Sequence, residues 1–256
     1  MSLYRSAEQK LDSFLRKGIK DYTKSRNFDF GTENRGNVSG LSPFISHRLV
    51  LEYDVIRDSL ALYPFSKIEK FIEEIFWRVY WRGWLENRPS VWEAFRNYPK
   101  PTSSDLAYVS AINARTGIDC FDDWVGELKT NNYLHNHARM WFASIWVFTL
   151  NLPWQWGARF FLEHLLDGDS ASNTLSWRWV AGIQTKGKSY LARQENIRKY
   201  TAGRFSPEGL AESESPIEDD EFHAISSLQI KRTTKKVNDA LIVCETDLAV
   251  KDRQQL

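Results

Sequence analysis

The chain has 256 residues and a formal net charge of +1. This length suffices for one large domain or two small ones, and the charge argues against a strongly basic protein that coats nucleic acid, although a local basic face could still bind DNA. Cys120 and Cys244 are too few for a disulfide framework and lack zinc-site spacing, as is typical of a reducing compartment. The apolar run Trp141–Leu150 is too short for a bilayer, and Met1–Lys20 lacks a signal-peptide core. We therefore expect a soluble, intracellular protein of the cytoplasm or nucleoid, without membrane association.

Apolar residues recur at helical spacing along most of the chain, which predicts an all-α helical bundle up to about Arg204. Ser42 is predicted to cap a helix that has Pro43 in its first turn. Pro89–Tyr108 contains proline and serine and is predicted to be a connection without a helix. The predicted helices are Ala7–Thr23, Ile45–Leu60, Lys67–Asn87, Asp119–Leu128, His135–Leu150 and Ala158–Leu166.

The longest predicted helix, Lys67–Asn87, carries both apolar and charged residues. Its Glu74 and Arg78 share a face, so they form either a solvated ion pair or part of a site, and the aromatic sequence around them favours a site. The apolar residues expected on its buried side are Phe71, Ile72, Ile75, Phe76, Val79 and Tyr80.

The last fifty residues differ in composition from the rest. Ser206–Asp220 is acidic and contains serine, proline and glycine, which predicts a linker. Ala240–Cys244 is a short apolar run typical of a buried strand. We therefore divide the chain into a helical domain, 1–204, and a charged, irregular linker and tail, 205–256, which is a candidate start of a truncated α/β domain.

Several polar residues lie among tryptophans in the segment Tyr133–Gly182. On a helix His135 and His137 would point about 200° apart, so they cannot chelate one ion, and no metal is expected. Asp167 and Asp169 are compatible with a simple turn, or with hydrogen bonds to a sugar or heterocycle. The tryptophans are either ordinary core residues or part of a stacking or redox site.

Five segments of the chain, taken together, resemble the FAD-binding helical domain of the DNA photolyase/cryptochrome family. The resemblance runs from about residue 22 to about residue 192, and the segments occur in the family's order. They are Ser39-Gly40-Leu41-Ser42-Pro43-Phe44, the helix Phe71–Arg82, Thr116-Gly117-Ile118-Asp119, Tyr133–Met140 and Asp167–Gly182.

The resemblance implies a U-shaped FAD held inside the helical bundle. Asn173 matches an asparagine beside the flavin N5, and Asp167 and Asp169 match groups that bond the ribose, adenine or isoalloxazine edges. The residues that match phosphate contacts are Tyr22, Ser39, Leu41 and Ser42. The residues that match the flavin lining are Glu74, Arg78, Asn136 and Arg139.

The family's repair reaction transfers an electron, under blue light, from reduced FAD to a cyclobutane pyrimidine dimer that is flipped out of ultraviolet-damaged DNA. By resemblance, Trp77 and Trp179 would stack on that lesion, Glu74 would bond its pyrimidines, and Met140 would complete its pocket. His137 stands where the family has an arginine near the lesion. Trp177 and Trp154 match the inner two tryptophans that reduce the flavin, and Tyr98 and Trp92 are candidates for the outer end of that path.

Departures from the family pattern leave other functions open. Gly40 replaces the motif arginine, and the family's N-terminal α/β domain is missing, so no antenna chromophore is expected within this chain. Fewer cations near the lesion would weaken phosphate contacts, which favours a second hypothesis: a cryptochrome-like photoreceptor that signals through the tail Ser206–Leu256. A third hypothesis is a degenerate helical domain that has lost the cofactor.

Overall fold

The computed structural model describes residues 3–185, 187–214, 217 and 223–226. Within these residues the structure is helical and contains no β-strand, which confirms the predicted all-α fold. None of the helices in this part of the chain is both long enough and apolar enough to cross a bilayer. The predicted strand Ala240–Cys244 and most of the tail lie outside the described residues.

Twelve α-helices occur in the described part of the chain. A 3₁₀ turn, Ile19–Asp21, precedes the second of them, and a π-helical turn, Ile145–Thr149, follows the ninth. The helices are α1 (Leu3–Lys17), α2 (Tyr22–Ser25), α3 (Ser42–Ser46), α4 (Glu52–Leu62), α5 (Phe65–Glu86), α6 (Pro89–Asn97), α7 (Leu106–Ile112), α8 (Asp119–Asn131), α9 (Asn136–Ser144), α10 (Trp154–His164), α11 (Ser170–Val180) and α12 (Gln194–Tyr200).

Helix α5 connects two hydrophobic cores. Its first half packs Phe71 and Ile75 into a core formed with α1, α3 and α4. Its second half packs Leu85 against Leu175 of α11. A third and larger core lies around α8 to α11 and contains fully buried aromatic residues such as Trp146. Helix α5 therefore presents its polar residues at the junction between the two cores.

The first two predicted helices are wrong in extent. The helix predicted over Ala7–Thr23 is broken after Lys17, where Gly18 approaches the backbone of Gly36 so closely that a Cβ would lie 2.5 Å from its carbonyl oxygen. The helix predicted over Ile45–Leu60 is broken between α3 and α4, where Arg48 has a φ of 55°. Left-handed backbone of this kind interrupts helical hydrogen bonding.

The predicted capping role of Ser42 is also wrong. Leu41 occupies the N-cap position of α3, and Ser42 is the first residue of the helix. The hydroxyl that contributes to this turn belongs to Ser39, whose Oγ accepts a hydrogen bond from the Leu41 N–H at 3.3 Å. The entrance to α3 is therefore formed one residue earlier than predicted.

The prediction of a connection without a helix over Pro89–Tyr108 is wrong, because this range contains α6 and the beginning of α7. Pro89 begins α6, because the first helical position needs no backbone N–H and suits the fixed φ of proline. The predicted buried face of α5 is wrong at Phe76, Val79 and Tyr80, which are 56%, 49% and 52% exposed. This aromatic face of α5 is open to solvent.

Three further elements differ from the sequence-based expectation. The helix predicted over His135–Leu150 is α9 followed by the π-helical turn, in which the Leu150 N–H donates to the Ile145 carbonyl at 2.9 Å. Helices α11 and α12 were not predicted, since polar and aromatic residues alternate there without a clear apolar stripe.

Candidate functional site

A cluster of charged residues joins α3, α4, α5 and the beginning of α11. Arg78 of α5 donates to Ser46 Oγ at 3.0 Å and lies 3.3 Å from the Glu52 carboxylate. Arg82, one turn further along α5, donates to Asp169 Oδ2 at 2.9 Å. Sequence reasoning missed Glu52 and Arg82, although the four-residue spacing of Arg78 and Arg82 places them on one helix face. Glu74 and Arg78 point to different partners and do not form the solvated pair considered from the sequence.

Asp169 is fully occupied by contacts within the protein. Its Oδ1 accepts from the N–H groups of Ala171 and Ser172 and so caps α11. Its Oδ2 accepts from Arg82 and from Arg78. Burial raises the pKa of this carboxyl group, but the two arginines and the Ser172 N–H outweigh burial and lower the pKa on balance. Asp169 therefore acts as an ionised anchor that holds the arginines.

Asp167 retains an unused acceptor. Its Oδ2 accepts from Arg139 at 2.9 Å, while its Oδ1 is buried and has no hydrogen-bond partner within the protein. Arg139 also donates through Nε to the Leu134 carbonyl and lies over the ring of Tyr133, 5.0 Å from the centroid. A buried carboxylate oxygen without a partner costs free energy, so this atom is suited to a ligand that carries an N–H or O–H group.

Glu74 is held by an arginine that the sequence did not suggest. Arg26 donates to Glu74 Oε1 at 2.5 Å, and the Glu74 side chain remains one third exposed. Tyr22 lies nearby in edge contact with Phe71. Burial, aided by the Glu74 carboxylate, raises the pKa of Tyr22, so its hydroxyl stays protonated. The α2 and α5 helices thus present a phenol and a partly open carboxylate side by side.

The turn Ser39–Ser42 is built around a left-handed glycine. Gly40 has a φ of +58°, a conformation that L side chains rarely adopt. A Cβ at this position would lie 2.7 Å from Cε and 3.1 Å from Nζ of Lys10. The ammonium group of Lys10 on α1 therefore lies beside the glycine that replaces the motif arginine. No sequence signal pointed to Lys10, because α1 lies outside the five segments.

Asn173 and Asn136 differ in exposure. Asn173 is buried in α11, and its Nδ2 donates to the Ala158 carbonyl at 2.8 Å, which fixes the amide and leaves its Oδ1 available. Asn136 begins α9 and is exposed, while Met140, one turn later, is half-buried. The sequence-predicted residues of α9 therefore range from the surface to the core.

Trp177 and Trp154 are buried in the larger core, 2% and 5% exposed. Trp177 packs edge-on against Phe161 and Trp146, and its Nε1 has no hydrogen-bond partner within the protein. Trp154 stacks on Phe95 with 5.7 Å between ring centroids, and Phe95 stacks on the half-buried Trp92 at 5.2 Å. Aromatic rings thus lead from Trp154 to Trp92, which was one of the two candidates for the outer position.

Trp77 and Trp179 belong to separate aromatic groups. Trp77 is 50% exposed and stacks on Trp81 with 5.6 Å between centroids, and it also contacts Tyr80. Trp179 is half-buried and stacks on Tyr190 with 6.0 Å between centroids. The exposed face of α5 and the end of α11 each offer a flat aromatic surface.

His135 and His137 are buried, 1% and 8% exposed. His135 Nδ1 accepts from the His137 N–H and so caps α9. Both ring nitrogens of His137 are engaged, one with the Asn27 carbonyl and one with the Tyr190 hydroxyl. Contact of His137 with a lesion would require these hydrogen bonds to break. Across the described residues, no group of three or more His, Cys, Asp or Glu side chains is arranged to hold a metal ion.

An acidic groove lies apart from these residues. It has a volume of about 700 Å³ and runs between the loop Phe30–Asn34 and helix α8. Asp122, Asp123 and Glu127 line it, opposite Arg204. None of the sequence-predicted site residues lines this groove.

Comparison with known proteins identifies relatives of this chain. The FAD binding domain of DNA photolyase matches residues 71–209. Among curated proteins, the deoxyribodipyrimidine photo-lyase of Streptomyces griseus is 33% identical over 157 residues, which are 56% of this chain and 34% of that protein. That of Vibrio cholerae is 24% identical over 202 residues, which are 73% of this chain and 41% of that protein. The chain thus spans about a third to two fifths of the length of these relatives.

Solved structures show the same fold. A bacterial class III photolyase from Agrobacterium tumefaciens superposes with a TM-score of 0.66 at 24% identity, covering 78% of this chain and 42% of the other. A cryptochrome from Synechocystis superposes with a TM-score of 0.68 at 21% identity, covering 78% of this chain and 43% of the other. Since the family match covers more than half of the 256 residues and agrees with the helical architecture, this chain belongs to the family of the FAD-binding domain of DNA photolyase.

Proposed function

We propose that the chain is an FAD-dependent, blue-light-driven protein of photolyase type, which transfers an electron to a cyclobutane pyrimidine dimer flipped out of DNA. The observation that carries this proposal is that two ion pairs, Arg78–Asp169 and Arg139–Asp167, are connected through Ser46, while Asp167 Oδ1 is buried without a protein partner. When bound, reduced FAD supplies the electron. The residues of the chain bind the cofactor, orient it and provide a surface for the lesion.

The polar residues fit a large planar ligand with both donors and acceptors. Asp167 Oδ1 is free to accept from a ring N–H or a ribose hydroxyl, which would satisfy a buried atom that otherwise has no partner. Asn173 keeps Oδ1 free while its amide is fixed by the Ala158 carbonyl. Because these donors and acceptors are held by helix termini and ion pairs, little ordering is needed when the ligand binds.

The phosphate end of the cofactor would lie at the turn Ser39–Ser42. Hydroxyl groups of Ser39 and Ser42 can donate to phosphate oxygens, and the phenol of Tyr22 stays protonated. We propose that Lys10 supplies the positive charge that Gly40 lacks, since its ammonium group lies beside that glycine. Lys10→Ala is expected to weaken FAD binding more than Lys17→Ala, which removes an exposed lysine elsewhere on α1.

The lesion would dock on the aromatic face of α5. Trp77 is half exposed and backed by Trp81 and Tyr80, which keeps its ring oriented. Base stacking on such a ring contributes about 1–3 kcal/mol per base. Glu74 is partly exposed beside it and fixed by Arg26, so its carboxylate can accept hydrogen bonds from a flipped pyrimidine. Met140 adds an apolar contact from α9.

A route for electrons from solvent would pass through Trp92, Trp154 and Trp177. The stack of Trp92 on Phe95 and of Phe95 on Trp154 supports Trp92 as the outer position. Tyr98 is the weaker candidate, because its ring has no such contact with Trp154 among the stacked pairs of the described residues. Trp177 lies within the core beside Phe161 and Trp146.

A cryptochrome-like photoreceptor without repair is the second candidate function. The observation that favours it is the burial of His137, which is tied to Asn27 and Tyr190 and provides no cation at the surface where a lesion phosphate would lie. In this case the flavin would respond to light in the same way, and the lesion surface would be unused.

The test begins with the purified protein and a flavin absorption spectrum, since failure to bind FAD would refute both candidates. The pre-reduced protein is then illuminated with DNA that contains cyclobutane dimers, and loss of dimers is measured. Trp77→Ala is expected to weaken binding of damaged DNA about 10- to 100-fold from the stacking energy above. Tyr53→Ala removes another exposed aromatic ring, from α4, and should change little. Photoreduction without dimer binding would select the photoreceptor.

A further inference from the structure

His137 and Tyr190 form a hydrogen-bonded pair that the proposed function does not use. His137 Nδ1 lies 2.9 Å from the backbone oxygen of Asn27, and a carbonyl oxygen can only accept, so Nδ1 carries the hydrogen. Nε2 therefore presents its lone pair, and it lies 3.0 Å from the hydroxyl of Tyr190. The Tyr190 phenol can therefore donate to this imidazole lone pair at 3.0 Å, and its other acceptor, Asn196 Oδ1, lies at the longer distance of 3.4 Å.

The protonation states of the pair suit a proton transfer. Burial lowers the pKa of His137, although the Asn27 carbonyl opposes it, and the ring is neutral and able to take a proton. Burial raises the pKa of Tyr190 to about 12, so the phenol keeps its proton in the resting protein. The charged groups that face His137 are Arg26, which disfavours the imidazolium, and Asp29, which favours it. The distance of 3.0 Å is within the range for direct transfer.

The pair links two groups of stacked aromatic rings through a tilted contact, with 6.3 Å between centroids and 55° between the ring planes of His137 and Tyr190. Tyr190 stacks on Trp179 with 6.0 Å between centroids and 26° between ring planes. His137 stacks on Trp141 at 4.0 Å and 21°, and Trp141 stacks on Trp124 at 5.6 Å and 17°. Rings in such contact provide a short path for an electron, and Tyr190 is the member of the stack whose hydroxyl faces a base.

We propose that Tyr190 and His137 form a proton-coupled redox pair that returns an electron to Trp179 after that tryptophan has been oxidised. One electron passes from Tyr190 to the Trp179 radical cation, which becomes neutral indole again. At the same time the Tyr190 O–H bond breaks and an N–H bond forms at His137 Nε2. The products are a neutral tyrosyl radical and an imidazolium. The inference rests on the proposed function only for its physiological oxidant, a photoexcited flavin; Trp179 would then be a second electron donor beside the route through Trp177, in addition to its lesion-stacking role.

The test uses the full chain without flavin and a photosensitised ruthenium(III) complex as the one-electron oxidant. High-field electron paramagnetic resonance then identifies tyrosyl radicals and reports whether each is hydrogen-bonded to a protonated base. We expect a hydrogen-bonded tyrosyl signal that Tyr190→Phe removes. Tyr108→Phe is the matched control, because Tyr108 packs on the rings of Trp146 and Trp156 and not on a tryptophan and a histidine, and it should keep the signal. An unchanged signal in Tyr190→Phe would overturn the proposal.

The role of His137 is tested by His137→Gln. A glutamine oxygen can accept the phenol hydrogen bond but cannot take the proton, so the tyrosyl radical should form more slowly in the variant. The rate of its formation should also no longer be lower in D₂O than in H₂O. Equal rates in wild type and variant would refute the base assignment. If the variant does not fold, the rate of tyrosyl radical formation in the wild type is compared in H₂O and D₂O. Equal rates in the two solvents would refute proton transfer. Because this arm contains no flavin, a protein that fails to bind FAD refutes the proposed function and leaves the redox pair standing.

Discussion

Replacement of Gly157 by alanine tests how firmly Trp177 is held in the core. A Cβ at Gly157 would lie 2.3 Å from Cη2 and 2.5 Å from Cζ3 of Trp177, and 3.0 Å from Cε2 of Trp146. Carbon atoms do not approach this closely, so the indole of Trp177 would have to move. The Trp177 indole is 2% exposed and packs edge-on against Phe161, and close-packed interiors resist such a movement.

Two opposing effects determine how much Gly157→Ala changes the free energy of unfolding. Forcing an extra methyl group into a packed core costs about 1–3 kcal/mol. Alanine in place of glycine within a helix returns up to about 1 kcal/mol. We therefore expect Gly157→Ala to lower the free energy of unfolding by up to about 3 kcal/mol, depending on how much of the helical gain is realised. Gly126→Ala is the matched control, because Gly126 lies within α8 and its added Cβ would meet nothing within 4 Å. That variant should gain up to about 1 kcal/mol.

The assay is urea denaturation of the two variants and the wild type, followed by tryptophan fluorescence and circular dichroism. A shift in midpoint at constant slope reports stability alone. Equal stability of Gly157→Ala and Gly126→Ala would contradict this prediction, since the ring of Trp177 would then be free to move. In the FAD-loaded protein Gly157→Ala should also photoreduce more slowly, while Gly126→Ala should match the wild type.

Three other predictions follow from the site. In the wild type the Asn173 amide donates to the Ala158 carbonyl, and Asn173→Asp places a carboxylate against that carbonyl oxygen instead. The substitution should lower the free energy of unfolding by about 1–3 kcal/mol at neutral pH, and by less as the pH falls and the carboxyl group protonates. Denaturation at several pH values measures this. Burial lowers the pKa of His135, so from pH 6.5 downward the unfolded chain binds the proton more readily than the folded chain and the free energy of unfolding falls. His135→Asn keeps an acceptor for the helix cap and should remove on the order of 1–3 kcal/mol of this loss at acid pH. An unchanged fall in stability at acid pH would contradict the role of His135. Trp92→Phe should slow photoreduction of bound flavin and Tyr98→Phe should not, as time-resolved absorption can measure; the reverse order would exclude the path through Phe95.

Local patterns predicted the helical architecture well, but they could not show which face of α5 is buried. Phe76, Val79 and Tyr80 are apolar at helical spacing, and periodicity alone assigns such residues to a core. They are exposed because the two cores contact α5 on other sides. Only tertiary packing decides between a buried stripe and an open aromatic face, and the open face is where the proposed lesion contact lies.

The site was only partly predictable for a similar reason. Motif matching pointed to Asp167, Asp169 and Arg78, since these residues lie within recognisable segments. It could not find Lys10, which lies on α1, or Arg26, which lies at the end of α2, because both make contacts far from their own position in the sequence. The charge that we propose Lys10 supplies in place of the family's arginine comes from another helix and therefore leaves no local signal in the sequence. The sequence shows that glycine stands at position 40, but it does not show that Lys10 lies beside it.

The π-helical turn Ile145–Thr149 has a consequence for insertions and deletions. Its hydrogen bond from Leu150 to Ile145 spans one residue more than an α-helical turn, so the segment holds a surplus residue. Deletion of that surplus residue would restore ordinary α-helical hydrogen bonding and leave the angular phase of the two flanking sides nearly unchanged, because the wider turn already absorbs the extra residue. Trp146 lies within the turn, and its indole donates to the Pro153 carbonyl and packs edge-on against Trp177, so a deletion has to spare this residue to keep both contacts. The turn therefore marks a place where the chain can lose one residue and keep the alignment of α9 with the tryptophans that follow, whereas a deletion within the regular part of α9 would rotate everything on one side by about 100°.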